Sequence, residues 1–473
     1  MPRNRVLLIL LILLFATPDL RAQTHPAGFD DQPVVSGLEQ PTTLAMTPEG
    51  RLLVGLRGGV IRVVDQGGLL PAPMLTLPVE TYEEQGLLGI ALDPDYAVNR
   101  WLYVFWTPYT GSQPAPENRV SRFTVQADTV LAGSEVVVIA PLPTGAGYHV
   151  GGGLRTSSDG HLWLTIGDVS DGEFFGWPRM NDRLEGKLLR LNLDGSIPAD
   201  NPLIGVPGAR GEIWQKGLRS PFRFALQPGT LRPFVNDVGS YLWEEINRGD
   251  PGADFGWPDH EGAEQPAPAD AVNPIFTYPH AGNGASITGA AFHTGGSFPP
   301  GYAGNYFFVD HSRGQIGRMV LAGDSVVSVT MPWGTTAGWG WGGGPVDLLM
   351  GGDGALYYTQ YTGGQVRRIT YGAPADVNAA AATLAFARPW PNPARGGTTL
   401  AFTLAAPGHA RLSILDVQGR SVRVLVDGAL VAGAHSEDWD GSDAGGRAAP
   451  AGIYLARLET AGATLSRRIV RLR

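Results

Sequence analysis

His149 stands in Gly147-Tyr148-His149-Val150-Gly151-Gly152-Gly153-Leu154, a glycine-rich loop that opens onto an apolar run. An imidazole titrates near neutrality, so here it would accept a proton from a substrate hydroxyl. The three glycines after it would let a substrate or cofactor approach the backbone closely. Downstream, Asp168 closes an apolar strand that ends Ile166-Gly167-Asp168. A carboxylate beside the imidazole would fix its tautomer and stabilise the imidazolium. Taken alone, both residues also suit plainer roles: a loop histidine as a surface or structural residue, and a strand-end aspartate as a turn former.

Other chemical patterns are weaker. The glycine runs at Gly151 and Gly342 lack a following Lys-Ser/Thr and a helix, so they do not read as phosphate cradles. His280, His293 and His311 sit in separate segments without metal-ligand spacing. Neither a Gly-x-Ser-x-Gly elbow nor a His-Glu-x-x-His pair occurs.

The elements that must hold these residues are short strands. A loose unit recurs: an apolar strand, a Pro-Asp-Gly type of turn, a second apolar strand, and a third that carries Arg or Lys. The turns are Pro48-Glu49-Gly50, Ser158-Asp159-Gly160 and Gly352-Asp353-Gly354. The stretches 60–64, 119–125, 187–193, 315–320 and 365–369 read as third strands, and a less regular unit runs from 222 to 238. In 187–193, Leu189, Leu191 and Leu193 face one way, Arg190 and Asn192 the other, and Asp194-Gly195 makes the turn. Such sheets cannot bury both faces alone, so they are expected to stack radially as a six-bladed β-propeller, with a site among the loops at one end of the channel. The regular repeat disfavours a single large sandwich.

With 473 residues, more than one domain is expected. The propeller is placed at 30–372, a small-residue linker at 373–383, and a second domain at 384–473. The tail changes character: the alternating Leu412 and Ile414, the turn Asp416-Val417-Gln418-Gly419, and Gly452-Ile453-Tyr454-Leu455 read as a small β-sandwich. A 43% hydrophobic chain with 17% charged residues is globular, not disordered. A net charge of -9 with no basic stripe excludes a nucleic-acid partner. Arg3 and Arg5, the apolar run from Val6 to Ala16, and the small Ala22 make a secretory signal peptide over 1–22. That run falls well short of the roughly twenty residues that span a bilayer. Export to the periplasm, cell surface or medium is the expectation, and with Cys 0 the exported chain has no disulfides.

Several motifs agree in order: His149 before its glycine run, Ile166-Gly167-Asp168, Gly186-Lys187-Leu188-Leu189-Arg190-Leu191, Gly217-Leu218-Arg219-Ser220-Pro221, Asn236-Asp237-Val238-Gly239, Glu244-Glu245-Ile246-Asn247 and Phe255-Gly256-Trp257-Pro258. Together they resemble the glucose/sorbosone dehydrogenase family, the soluble quinoprotein sugar dehydrogenases, over about 38–372. The resemblance implies oxidation of an aldose or related alcohol by pyrroloquinoline quinone (PQQ), with transfer onward to an electron acceptor. It implies His149 as general base, Asp168 as its orienting partner, and Arg219 beside the reacting quinone oxygen. Glu84, His149, Arg219 and Ser220 would line the cofactor. A Ca²⁺ would take the carbonyls of Gly239 and Ser240, and a second, structural Ca²⁺ would take Glu245 and the carbonyl of Phe255.

Three positions depart from that pattern. Ser220 stands where the family usually has Asn, and Val238 where the glucose-oxidising members have Gln. The stretch 338–345 has no cation where those members pair the quinone carboxylates, although Arg313 is near in sequence. Trp339 or Trp341 there would stack on a planar ligand or pack within the propeller. These departures keep a second reading open: a carbohydrate- or protein-binding propeller without quinone affinity. A metal-dependent hydrolase of lactonase type would need carboxylates converging on the channel. The tail resembles the Ig-like domain of flagellar-hook-capping type and the C-terminal sorting domains of type IX export, through Pro389-Trp390-Pro391-Asn392-Pro393 and Gly452-Ile453-Tyr454. That implies sorting by a secretion machinery, or adhesion.

Overall fold

The computed structural model describes residues 25–65, 68–266, 268–280, 284–336, 344–372, 384–386, 389, 391–404, 408–430 and 433–472. The expected signal segment 1–22, the linker 373–383, Trp339 and Trp341 lie outside them.

Six antiparallel sheets follow one another along the chain. Blade 1 is Pro41–Met46, Leu52–Leu56, Val60–Asp65 and Gly68–Leu69, and blade 2 is Leu87–Leu92, Trp101–Trp106, Asn118–Gln126 and Thr129–Val130. Blade 3 is Leu154–Thr156, His161–Ile166, Lys187–Asn192 and Ile213–Lys216. Blade 4 is Pro221–Leu226, Pro233–Asp237, Trp243–Arg248 and Phe276–Pro279. Blade 5 is Ile287–Phe292, Tyr306–Asp310, Gln315–Ala322 and Ser325–Thr335. Blade 6 takes Pro345–Met350, Leu356–Gln360 and Gln365–Tyr371, but its outermost strand is Phe29–Val35 from the other end of the chain. This closure pairs Phe29 with Tyr371 and Gln32 with Arg368. Arg367 Nε and the Tyr358 hydroxyl both donate to the buried Asp31, at 2.9 and 2.6 Å.

The blades form a closed ring because each one shares an apolar cluster with the next. Tyr103 and Phe105 of blade 2 pack on Leu164 and Leu189 of blade 3, and equivalent clusters join the other five neighbouring pairs. Strand residues are therefore buried on both faces, as in Leu52–Leu56 and Leu356–Gln360. Each buried Leu, Val, Ile or Phe contributes roughly 1.5–3 kcal/mol.

The channel has a plug. Asp347 of blade 6 is buried, accepts Leu44 N of blade 1 at 2.9 Å, and pairs with Arg155 of blade 3 at 3.1 Å and Arg223 of blade 4 at 3.6 Å. Arg223 Nη2 also donates to the carbonyls of Thr42 and Leu88, both at 2.8 Å, which ties in blade 2.

The tail is a sandwich of two sheets. One joins Ala385–Phe386, Thr398–Leu404 and Gly433–Trp439; the other joins Ser421–Leu430, Gly408–Asp416, Gly452–Thr460 and Ala463–Arg471. Trp439 packs edge-on against Tyr454 at 5.0 Å, among Leu400, Phe402, Leu412 and Leu458.

Candidate active site

In an antiparallel blade, the segment leading into the innermost strand and the turn between the second and third strands lie at the same end. Residues from these two positions in all six blades converge on a cavity of about 300 Å³. Glu84 precedes the inner strand of blade 2, His149 to Gly151 that of blade 3, Arg219 and Ser220 that of blade 4, and Ser286 that of blade 5. Arg57, Val238, His311 and Tyr361 come from the second turns of blades 1, 4, 5 and 6. Arg223, Leu88, Val150, Phe222 and Val346 are also among the lining residues.

His149 and Asp168 meet. His149 Nδ1 lies 2.7 Å from Asp168 Oδ1, with the histidine side chain 18% exposed and the aspartate fully buried. Asp168 is itself fixed: Ser170 N donates to Oδ1 at 2.8 Å and Trp257 Nε1 to Oδ2 at 2.9 Å. A carboxylate on Nδ1 places the proton there, leaving Nε2 with its lone pair. Nε2 has no hydrogen-bond partner among the described residues.

The backbone around the pair is strained. His149, Val169 and Ser170 have φ of 50°, 57° and 67°, a region in which a β-branched residue is an outlier. Each such residue costs on the order of 1–3 kcal/mol, strain that concentrates at working sites. Gly167 is obligatory here, because a Cβ on it would sit 1.9 Å from the His149 carbonyl oxygen. The expected role of the glycine triplet is different in the fold. Gly151 lines the cavity, but Cβ atoms on Gly152 and Gly153 would meet Leu88 of blade 2's inner strand at 2.5 Å and Thr165 Oγ1 of blade 3's own second strand at 2.6 Å, so these two glycines serve close strand packing.

Arg219 is half-buried beside the dyad. Its Nη1 donates to the carbonyls of Val238 and Gly239 at 3.0 and 2.8 Å, and its guanidinium lies 5.6 Å over the Trp257 ring. Its Nε is buried without a partner, and no carboxylate pairs with it among the described residues. Asp237 accepts Arg219 N at 2.9 Å and Ser220 N at 2.6 Å and so fixes the start of the strand. Burial and the neighbouring Glu245 push the Asp237 carboxyl well above its usual range. Glu84 is exposed at the mouth, where Oε2 accepts His149 N at 2.7 Å. Crowding by protein atoms raises its carboxyl, against the pull of the His149 and Arg219 charges.

Four residues were expected to hold Ca²⁺. Gly239, Ser240, Glu245 and Phe255 do not line the cavity. Glu245 is buried, with Oε1 taken by Gly262 N at 2.6 Å and Oε2 by Asn247 Nδ2 at 3.0 Å, and burial pushes its carboxyl up to about 7. Among the described residues no three His, Asp or Glu side chains gather as a metal cluster. Arg313 is turned away from the cavity, donating to the carbonyls of Pro279, His280 and Gly284. Arg57 and Tyr361 were not singled out from the sequence, and His311 was considered only as a metal ligand and set aside. The repeat itself held the signal, since each follows a second strand as Asp168 does.

The Glucose / Sorbosone dehydrogenase family model matches residues 38–362. The chain belongs to this family. An FlgD Ig-like domain model matches 392–463 of the tail. Among relatives of this dehydrogenase-family chain, the aldose sugar dehydrogenase YliI of Escherichia coli is 29% identical over 288 residues, 58% of this chain and 76% of that one. The quinoprotein glucose dehydrogenase B of Acinetobacter calcoaceticus is 28% identical over 271 residues, 52% of this chain and 56% of that one. The crystal structure of the soluble aldose sugar dehydrogenase of E. coli in its apo form superposes with a TM-score of 0.63 at 25% identity, over 72% of this chain and 99% of that one. The chain thus spans between about half and three quarters of the length of these two curated relatives. No helix among the described residues is long and apolar enough to cross a membrane.

Proposed function

We propose that the propeller oxidises a CH–OH group of an aldose or related alcohol, with PQQ as the acceptor. The observation that carries this reading is the His149–Asp168 pair at 2.7 Å, with a free Nε2, in the same cavity as the unpaired cation Arg219. The substrate hydroxyl donates its proton to Nε2 as the carbinol C–H bond breaks, and the carbinol becomes a carbonyl. Asp168 holds the imidazole in the accepting tautomer and balances the imidazolium that forms. Trp257 and Ser170 keep Asp168 aimed.

The lining supports a planar, anionic cofactor. Arg57 and Arg219 face the cavity without a carboxylate partner among the described residues, and the buried Arg219 Nε and His311 Nδ1 there have no hydrogen-bond partner among them. Arg219 and Ser220 are the residues we assign to hold the quinone, with Glu84 at the mouth. When bound, the quinone supplies the two-electron sink for the hydride. For calcium the fit is poorer: the Gly239 carbonyl already accepts Arg219 Nη1, and both Glu245 oxygens are engaged. No step is therefore routed through a cation. The charged, apolar and small-residue pattern at 1–22 supports an exported protein, and the Ig-like tail supports sorting or surface attachment.

The test is calorimetric titration of the EDTA-stripped chain with PQQ, with and without Ca²⁺, followed by dye-linked turnover of an aldose panel. Near-stoichiometric binding, weakened in Arg219→Ala and retained in the inactive His149→Ala, is the expected result. Absence of binding at high micromolar quinone would sink the assignment in favour of a binding propeller.

A further inference from the structure

The cavity face carries a second feature that takes no part in proton transfer. Five aromatic side chains of the propeller stand well exposed among the described residues: Tyr109, Tyr148, Phe174, Phe175 and Tyr241. Tyr148 lies in the segment leading into the inner strand of blade 3, and the others lie in the second turns of blades 2, 3 and 4. All five therefore lie on the face of the propeller into which the cavity opens. The exposed apolar residues in turns of the opposite face, such as Val98, Ile197, Ile204 and Val206, are aliphatic. Bare rings gathered on the face that opens into a cavity mark a ligand surface.

The rings in blade 3 form a fixed platform. Phe174 and Phe175 are 77% and 58% exposed, and Phe175 stacks on Trp177 with centroids 4.9 Å apart and planes 19° from parallel. Arg183 lies 4.2 Å over the Trp177 ring. Below, the buried Lys187 donates to the carbonyls of Trp177, Pro178 and Glu185 at 3.0, 2.7 and 2.5 Å, which pins the loop. The short helix Gly172–Phe175 starts against the catalytic pair: Gly172 N donates to the Asp168 carbonyl at 2.9 Å. One helical turn, about 5 Å of rise, then separates that contact from the Phe pair.

We infer that this rim docks the outer units of a neutral oligosaccharide whose reducing end enters the cavity, an inference that rests on the sugar dehydrogenase reading. A cavity of about 300 Å³ is at the small end of ligand pockets, so further sugar units must leave across the rim. A pyranose presents a face of axial C–H groups, which suits the electron-rich face of an aromatic ring. Glu83 and Glu84 at the mouth, Asp171 and Glu173 beside the platform, and a net charge of -9 oppose an anionic chain such as a polyuronate.

The experiment measures binding of glucose, maltotetraose, cellotetraose and tetragalacturonate to the whole chain by calorimetry without quinone, beside turnover with quinone. At least one neutral tetrasaccharide should bind more tightly than glucose. The double variant Phe174→Ala/Phe175→Ala should lose about tenfold of that affinity and leave glucose turnover unchanged. Phe175→Tyr should retain the gain. Equal affinity for glucose and both neutral tetrasaccharides, survival of the gain in the double variant, or equally tight galacturonate binding would each overturn the inference. Binding is read without oxidation, so a chain that binds tetrasaccharides and oxidises nothing would refute the dehydrogenase reading while leaving the rim standing.

Discussion

Arg223 and Arg219 lie four positions apart, yet they belong to different machines. Arg223, at the channel floor, is buried opposite Asp347, with its Nη atoms on the carbonyls of Phe222, Thr42 and Leu88. Burial lowers its guanidinium to about 10, so the fold bears a cost that the carboxylate offsets. Arg219, on the wall, has no carboxylate partner and a buried Nε without a hydrogen bond among the described residues. A cation whose charge is met inside the protein holds blades together. A cation left unmet in a cavity is poised for a ligand's negative charge, and that contrast separates scaffold from site.

The largest effects should fall on opposite sides of this contrast. His149→Ala removes the proposed proton acceptor without disturbing a packed core. Turnover should drop by about 10²–10⁴, with the melting temperature nearly unchanged. Equal loss of activity and stability would place His149 in the scaffold instead. Asp347→Ala should do the reverse. It strands Arg155 and Arg223 in the channel and should cost about 3–5 kcal/mol in urea unfolding. A change within experimental error would mean that the plug is solvated and does not tie the blades.

The contrast was only partly legible in the sequence. The third strands of blades 1, 2, 3, 5 and 6 were read close to their observed bounds, because apolar runs and Asp-Gly turns are local signals. Blade 4 was irregular because its third strand carries Glu244, Glu245 and Asn247, which are buried and hydrogen-bonded in place of an apolar run. The closing strand Phe29–Val35 was not legible as part of blade 6: its partner lies at the far end of the propeller. The same distance hid the plug, since Asp347, Arg155 and Arg223 become neighbours only when the ring closes. That His149, Asp168 and Arg219 gather in one place was legible through motif order. The aiming role of Trp257 and the places of Arg57, His311 and Tyr361 depend on three-dimensional convergence.

A buried acidic pair in blade 4 should respond to pH. Asp237 and Glu245 face each other across neighbouring strands, and burial raises both carboxyls, with Glu245 adding to the rise at Asp237 and Glu261 and Glu244 adding to that at Glu245, which reaches about 7. The native state therefore holds a proton at Glu245 that the unfolded chain releases above its ordinary value of 4.5. By linkage, this group's stabilising contribution is full below 4.5 and falls as pH rises toward 7. In EDTA, Glu245→Gln should flatten the decline in unfolding free energy across that window. A wild-type slope that matches the variant's would show that the pair is already compensated.

The smallest effect should come from the indole that links the two charges of the wall. Trp257 donates to Asp168 and lies beneath the Arg219 guanidinium. Trp257→Phe keeps a ring for the cation and removes only the N–H, so Asp168 loses one of the two donors that aim it. One such bond is worth about 0.5–1.5 kcal/mol, which corresponds to a few-fold fall in kcat. KM should hold, because the indole is not in the cavity lining. A rise in KM with kcat intact would assign Trp257 to ligand binding through Arg219. A fall in kcat alone would assign it to the base, and it would show that the wall's charges are held from behind by hydrogen bonds, as the floor's are held by ion pairs.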